Sequence, residues 1–248
     1  MWSKLVASSL CGIALLAGAD IRGTVTIDRK LTHRNITASA GIYQRGVAVP
    51  LEADADDDPV AFERSHVAVY IEGNPTGSAG ASKARIIPAP MAQPTPVQQA
   101  IEQRDRRFVP DLIVTPAGTT VSFPNFDPIF HNVFSLSKAK NFDLGNYPKG
   151  QTRTVSFATP GVVAVYCHLH SNMSATIMVT PNRWATRVDA TGAFTLKDVP
   201  AGTYTVVAWH KAAGTFRKTI TIGESGDRDL SFALPFMATP EAKHIAHR

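Results

Sequence analysis

Residues 161–180, Gly-Val-Val-Ala-Val-Tyr-Cys-His-Leu-His-Ser-Asn-Met-Ser-Ala-Thr-Ile-Met-Val-Thr, restrict the fold more than any other stretch of the chain. The β-branched run at Val162, Val163 and Val165 leads into Cys167, and a second apolar run, Ile177, Met178 and Val179, closes the segment. Two such runs around a short polar loop read as strand, tight loop, strand. The loop carries His170 and Met173 a few residues after Cys167. It therefore offers a thiolate, an imidazole and a thioether. Two soft ligands and one imidazole suit copper rather than calcium or magnesium.

A trigonal copper site of two imidazoles and a thiolate, with a weak axial thioether, needs one more histidine. His131 supplies it in the upstream stretch Phe-Pro-Asn-Phe-Asp-Pro-Ile-Phe-His-Asn-Val-Phe-Ser (123–135). A distant His followed by Asn, paired with Cys-x2-His-x2-Met between strands, resembles the cupredoxins, the blue-copper electron-transfer proteins. Phe-Asp-Pro-Ile-Phe-His-Asn-Val-Phe-Ser, Asn-Tyr-Pro-Lys-Gly-Gln and Tyr-Cys-His-Leu-His-Ser-Asn-Met are similar to the plastocyanin-like bacterial proteins labelled methylamine utilization proteins. The resemblance covers residues 107–180. It implies a Greek-key β-sandwich, one copper per chain, and His131, Cys167, His170 and Met173 as the metal residues. It also implies that Asn132 bonds across to the Cys-bearing strand.

Each candidate has a plainer alternative. Cys167 can be a small buried hydrophobe, His131 a core histidine, His170 a polar loop residue and Met173 core packing. His168 competes with His170. Neighbouring side chains in a strand point to opposite faces, so a Cys167 that faces the metal sends Tyr166 and His168 to the surface. Met173 departs from the plastocyanin pattern, which places Met five residues after the His rather than three. Ala175 stands at that fifth position and cannot ligate. Structural zinc wants four strong N or S ligands, and haem attachment wants Cys-x2-Cys-His; neither pattern is present.

The first nineteen residues read as an export signal. Lys4 is basic, Leu5 to Leu16 is apolar but too short to span a bilayer, and Ala17-Gly18-Ala19 is an A-x-A cleavage site before Asp20. The expectation is a periplasmic or secreted protein without an integral membrane segment in the mature chain. Cys11 would leave with the signal, so Cys167 remains as the single cysteine, unable to form an intramolecular disulfide. A lone Cys in an exported chain is a reactive thiol or a ligand, and coordination protects it from oxidation.

Strand signals run on from Phe108: 112–115, 119–123, 133–135, 154–157, 162–167 and 176–179, spaced by Gly, Pro and Asn turns. Upstream, 20–28 and 66–72 also alternate. The segment 28–65 is weakly patterned and includes the acidic residues Glu52, Asp54, Asp56, Asp57 and Asp58, which read as a solvated loop, and an Asn35-Ile36-Thr37 sequon. Residues 76–106 read as a Pro- and Gly-rich linker that ends in a short helix at 97–107. From Pro181 the pattern Asp-x-x-Gly-x-Phe-x-Leu-x-x-Val-Pro-x-Gly-x-Tyr-x-Val-x-x-Trp resembles the carboxypeptidase regulatory-like, or transthyretin-like, β-sandwich. The expected division is a signal at 1–19, an N-terminal β segment at 20–75, a linker at 76–106, a cupredoxin domain at 107–180, the second sandwich at 181–236 and a tail at 237–248. The strands at 21–27 and 67–71 are candidates for that second sandwich, which would make the cupredoxin an insertion.

The net charge of +5 is spread along the chain without a Lys/Arg block, which argues against a nucleic-acid partner. The resulting expectation is an all-β, non-enzymatic one-electron carrier that meets a redox partner protein, with Phe126, Pro128, Ile129 and Phe130 as a docking patch. Copper delivery or storage, and a structural role built on the second sandwich, are the competing readings. His33, His66 and His210 have no partner recognisable from the sequence.

Overall fold

The structure, a computed structural model, describes residues 18–31, 58, 60–73, 99–223 and 228–234. The export segment up to residue 17, the sequon, the acidic residues 52–57, the stretch 74–98 and the tail after 234 lie outside the described residues. The described chain is nearly all β: β1 (Ala19–Thr26), α1 (Ala61–Ser65), β2 (Val67–Ile71), β3 (Gln99–Ala100), β4 (Glu102–Arg104), β5 (Arg107–Val109), β6 (Leu112–Pro116), β7 (Thr119–Pro124) and β8 (His131–Ser137). These are followed by β9 (Lys140–Tyr147), β10 (Thr152–Phe157), β11 (Gly161–Tyr166), β12 (Ser174–Thr180), β13 (Ala185–Arg187), β14 (Ala193–Val199), β15 (Gly202–His210), β16 (Gly214–Ile222) and β17 (Arg228–Ala233).

Two hydrophobic cores follow from the period-2 pattern of these strands. The first lies between the sheet β6-β12-β11-β8-β9 and the sheet β10-β7-β3. Ile177, Val163, Val165 and Val133 from one sheet meet Val121, Phe123 and Phe157 from the other. The second lies between β14-β1-β17 and β13-β2-β15-β16, where Ile21, Phe194, Leu196 and Phe232 meet Val67, Val69, Val206 and Ala208. Each such buried side chain contributes about 1.5–3 kcal/mol, so the two inner faces dominate the stability of their sandwiches. β1 and β2 both pair with strands from 193–233: Ile21 stands against Leu196 and Arg228, and Val206 against Ile71. Strands on either side of 99–180 therefore share one sandwich.

The outer faces of the sandwiches meet. Ala68 and Val207 are completely buried although they point away from their own core. On the other side Met178 is 3% exposed and lies opposite to the core-facing Ile177 and Val179. Polar ties cross the join: Arg187 donates to the Leu112 carbonyl at 3.4 Å, and His66 Nε2 lies 2.7 Å from Asp111 Oδ1. Among the described residues no helix is long and apolar enough to cross a membrane.

Several sequence expectations are corrected. Of the stretch 97–107, the described residues 99–107 are not helical: Gln99 and Ala100 run parallel to Val121 and Ser122, and Glu102–Arg104 forms a hairpin with Arg107–Val109. Ile101 and Gln103 alternate inward with no exposure, and an open sheet edge supplies the backbone partners that a short isolated helix lacks. Residues 99–106 are thus part of the site sandwich and not linker. The segment 28–65 contains α1. β9 escapes the sequence reading because only Tyr147 is fully buried, while Phe142 and Leu144 lean on the core from an edge strand. His66 and His210 do have partners: His66 Nδ1 meets the Phe62 carbonyl at 2.6 Å, and His210 Nε2 lies 3.2 Å from Glu63 Oε2. His33 lies outside the described residues.

Candidate metal centre

Val163 and Val165 on the inner face of β11, and Cys167 directly after its end, continue one alternating row, and all three are buried in the same core. Tyr166 and His168 point outward, as pleating requires. His168 stacks on Phe134, with ring centroids 3.7 Å apart and planes within 2° of parallel. The loop then turns back, closed by the Met173 N–H donating to the His170 carbonyl at 3.1 Å. His170 is half-buried, and Met173 is 1% exposed in the core that holds Cys167.

His131 opens β8, paired with Tyr147 of β9, and is fully buried. Its Nδ1 lies 3.1 Å from Nδ1 of His170, which is 3.8 Å from Cys167 Sγ. The three ligand atoms lie within 4.8 Å of one another. Donor atoms held at about 2.0–2.3 Å from one ion and spread around it stand roughly 3–4 Å apart. The separations of 3.1 and 3.8 Å fit that spacing, and a thiolate with two imidazoles is a donor set for a soft or borderline ion.

Asn132 ties the two ligand strands together. Its backbone N–H donates to Cys167 Sγ at 3.4 Å, and its side-chain oxygen accepts the His168 N–H at 3.4 Å. The amide nitrogen of the same side chain donates to Asp143 at 2.7 Å. The Gly145 N–H, together with this amide, holds the Asp143 carboxyl below the usual carboxylate range.

Sequence reasoning missed Asp127. Its Oδ2 accepts from His131 Nε2 at 2.7 Å, and its two oxygens accept the backbone N–H groups of Asp105 and Arg106 at 2.7 and 2.9 Å. Burial works to raise its carboxyl, but the bonds from Arg106, His131 and Asp105 outweigh burial and hold it below the usual range. A carboxylate accepts only, so this bond places a His131 proton on Nε2, with Nδ1 facing the cluster. The signal was present in the sequence: a carboxylate four residues before a metal-type histidine, in the stretch quoted for His131. For His170, desolvation first, then the His131 ring and Arg106, push the imidazole below its ordinary value; Asp127 opposes them. That favours the neutral form a metal ligand must have.

Together these features define an all-β protein with a buried two-histidine, one-cysteine cluster. A family profile described as polysaccharide lyase family 4, domain II, matches residues 172–230. No curated protein matches the chain. Among solved structures, the chain is similar to an amicyanin variant in its Cu(I) form, at 16% identity and a TM-score of 0.32, over 33% of this chain and 81% of that one. A reduced amicyanin variant gives 18% identity and 0.32 over the same shares. A copper-containing nitrite reductase from Thermus scotoductus SA-01 gives 20% identity and 0.34, over 41% of this chain and 26% of that one.

Proposed function

We propose that this chain is an exported, mononuclear copper protein of the cupredoxin type that carries one electron between partner proteins and catalyses no reaction of its own. The observation that supports it is the convergence of Cys167 Sγ with Nδ1 of His131 and of His170. Copper, when bound, supplies the one-electron couple. Zinc in a structural site takes four strong ligands. The fourth candidate in this site is the thioether of Met173, a weak donor that suits copper.

The residues of the chain hold the site and limit its rearrangement. His131 opens β8 and Cys167 follows the end of β11 in the buried core, and Asn132 ties the two segments together. Ligands fixed in this way move little when the charge at the site changes, which keeps electron transfer fast. His170 lies on the loop and is the half-buried edge through which a partner is reached. Exposed Phe126, Phe130 and Leu169 surround the approach, and weak redox encounters use small interfaces of this sort. On this reading the sandwich built from β1, β2 and β13–β17 carries the copper sandwich as an insertion.

The deciding experiment is a copper(II) titration of the mature protein followed by visible absorption and EPR, beside Cys167→Ala. An intense thiolate-to-copper band at one copper per chain, absent from the variant, is expected. A colourless protein, or copper binding indifferent to Cys167, would overturn the proposal.

A further inference from the structure

A strained hairpin tip stands behind His131. The pairing of Arg104 with Arg107 leaves Asp105 and Arg106 as a two-residue turn. Both have positive φ, 53° and 55°. Such a turn matches the twist of the strands, but Asn and Gly adopt it readily and Arg does not. Strained backbone persists where the surroundings over-determine it. Here the surroundings are the Asp127 carboxylate, 6% exposed, which binds both turn N–H groups. Asp127 is itself fixed: its N–H donates to Asn125 Oδ1 at 2.9 Å, and the Asn125 amide donates to the carbonyls of Ile129 and Tyr147. The remaining donor on this carboxylate is Nε2 of His131.

We propose that Asp127 is the positioning residue of the metal centre, joining the Asp105–Arg106 turn to His131 so that the imidazole always presents a bare Nδ1 to Cys167 and His170. The proposal rests on the copper reading for its purpose but not for its geometry. A ring free to carry its proton on Nδ1 would turn an N–H toward the donor set and could not coordinate. A carboxylate on the far nitrogen also makes the near one a stronger donor. The turn donates two of the three hydrogen bonds that hold this carboxylate in place, so the hairpin β4–β5 is part of the support of His131.

The test begins without metal. A ¹⁵N-edited imidazole spectrum of the metal-free protein should show His131 as the Nε2–H tautomer. In Asp127→Asn the ring should populate both tautomers, and the copper(II) dissociation constant should rise about 10–100-fold, while the thiolate band of Cys167 returns at saturation. An Nδ1–H tautomer in the wild type would sink the proposal without need of any variant. So would an Asp127→Asn protein that keeps both the tautomer and the copper affinity of the wild type. A wild type with the Nε2–H tautomer but no thiolate band would fail the copper reading and leave this positioning role standing.

Discussion

Phe130 is 55% exposed and stands one residue before the buried His131; Leu169, 47% exposed, stands one residue before His170. Large apolar side chains left in water next to both imidazoles are what a weak, short-lived contact needs. Phe126, 42% exposed, extends the patch and lies under the guanidinium of Arg104, 4.6 Å from its ring centroid. Phe130→Glu places a carboxylate on that surface without touching the core, so stability should change by no more than about 0.5 kcal/mol. Like charges brought face to face cost several kcal/mol, so electron self-exchange between the copper(I) and copper(II) forms, read by NMR relaxation, should slow about tenfold or more. Copper content should not change. An unchanged exchange rate would remove Phe130 from the docking surface.

At the scale of elements, β1 shows how little room a central strand allows. It lies between β14, antiparallel, and β17, parallel. A Cβ at Gly23 would stand 2.0 Å from the Leu230 carbonyl oxygen and 2.5 Å from the Phe194 ring. Both strands would have to move, and overpacking of this kind costs about 1–3 kcal/mol or more. Gly23→Ala should therefore lower the thermal midpoint of the chain, measured by circular dichroism. Copper binding at the proposed site in the other sandwich, which β1 does not enter, should not change. Loss of that binding in this variant would mean that strain in β1 reaches the other sandwich through the join.

At the scale of the whole molecule the join between the sandwiches is apolar at its centre, with Met178 against the sheet that carries Ala68 and Val207. Tyr70 and Trp209 line one side of the adjoining cleft, and Val162 and Met178 the other. Burial of this surface couples the unfolding of the two cores. The native chain should therefore melt in one calorimetric transition. Met178→Asp, which leaves a carboxylate unpaired in the join, should split it into two. A single transition in the variant would show that the polar ties through His66–Asp111 and Arg187 suffice for coupling. Acid should loosen the molecule from another place. Desolvation, opposed by Glu63, holds His210 below its ordinary value, so the folded state takes up this proton later than the unfolded one, and stability falls as pH drops below about 6.5.

The sequence by itself singled out the three residues that converge, His131, Cys167 and His170. Alternation put Cys167 on the inner face with Val163 and Val165 and sent His168 outward, and ligand chemistry selected His170 and His131. Those are rules of one strand and one loop, so they are legible in order along the chain. It also determined that the chain is β, since most strands announce themselves by period. Only the tertiary structure decided the rest. Gln99–Ala100, Glu102–Arg104 and Arg107–Val109 became strands because a sheet edge was available to them, and β9 formed on an edge with a single fully buried residue to mark it. Asp127 became the partner of His131 because a hairpin tip and a fixed loop aimed it there. His66 and His210 found Asp111 and Glu63 across long separations in sequence. For the strand at Gln99–Ala100, for His66 and for His210 the deciding partner is distant along the chain, and a pattern read from neighbouring residues carries no information about which surface will fold against it.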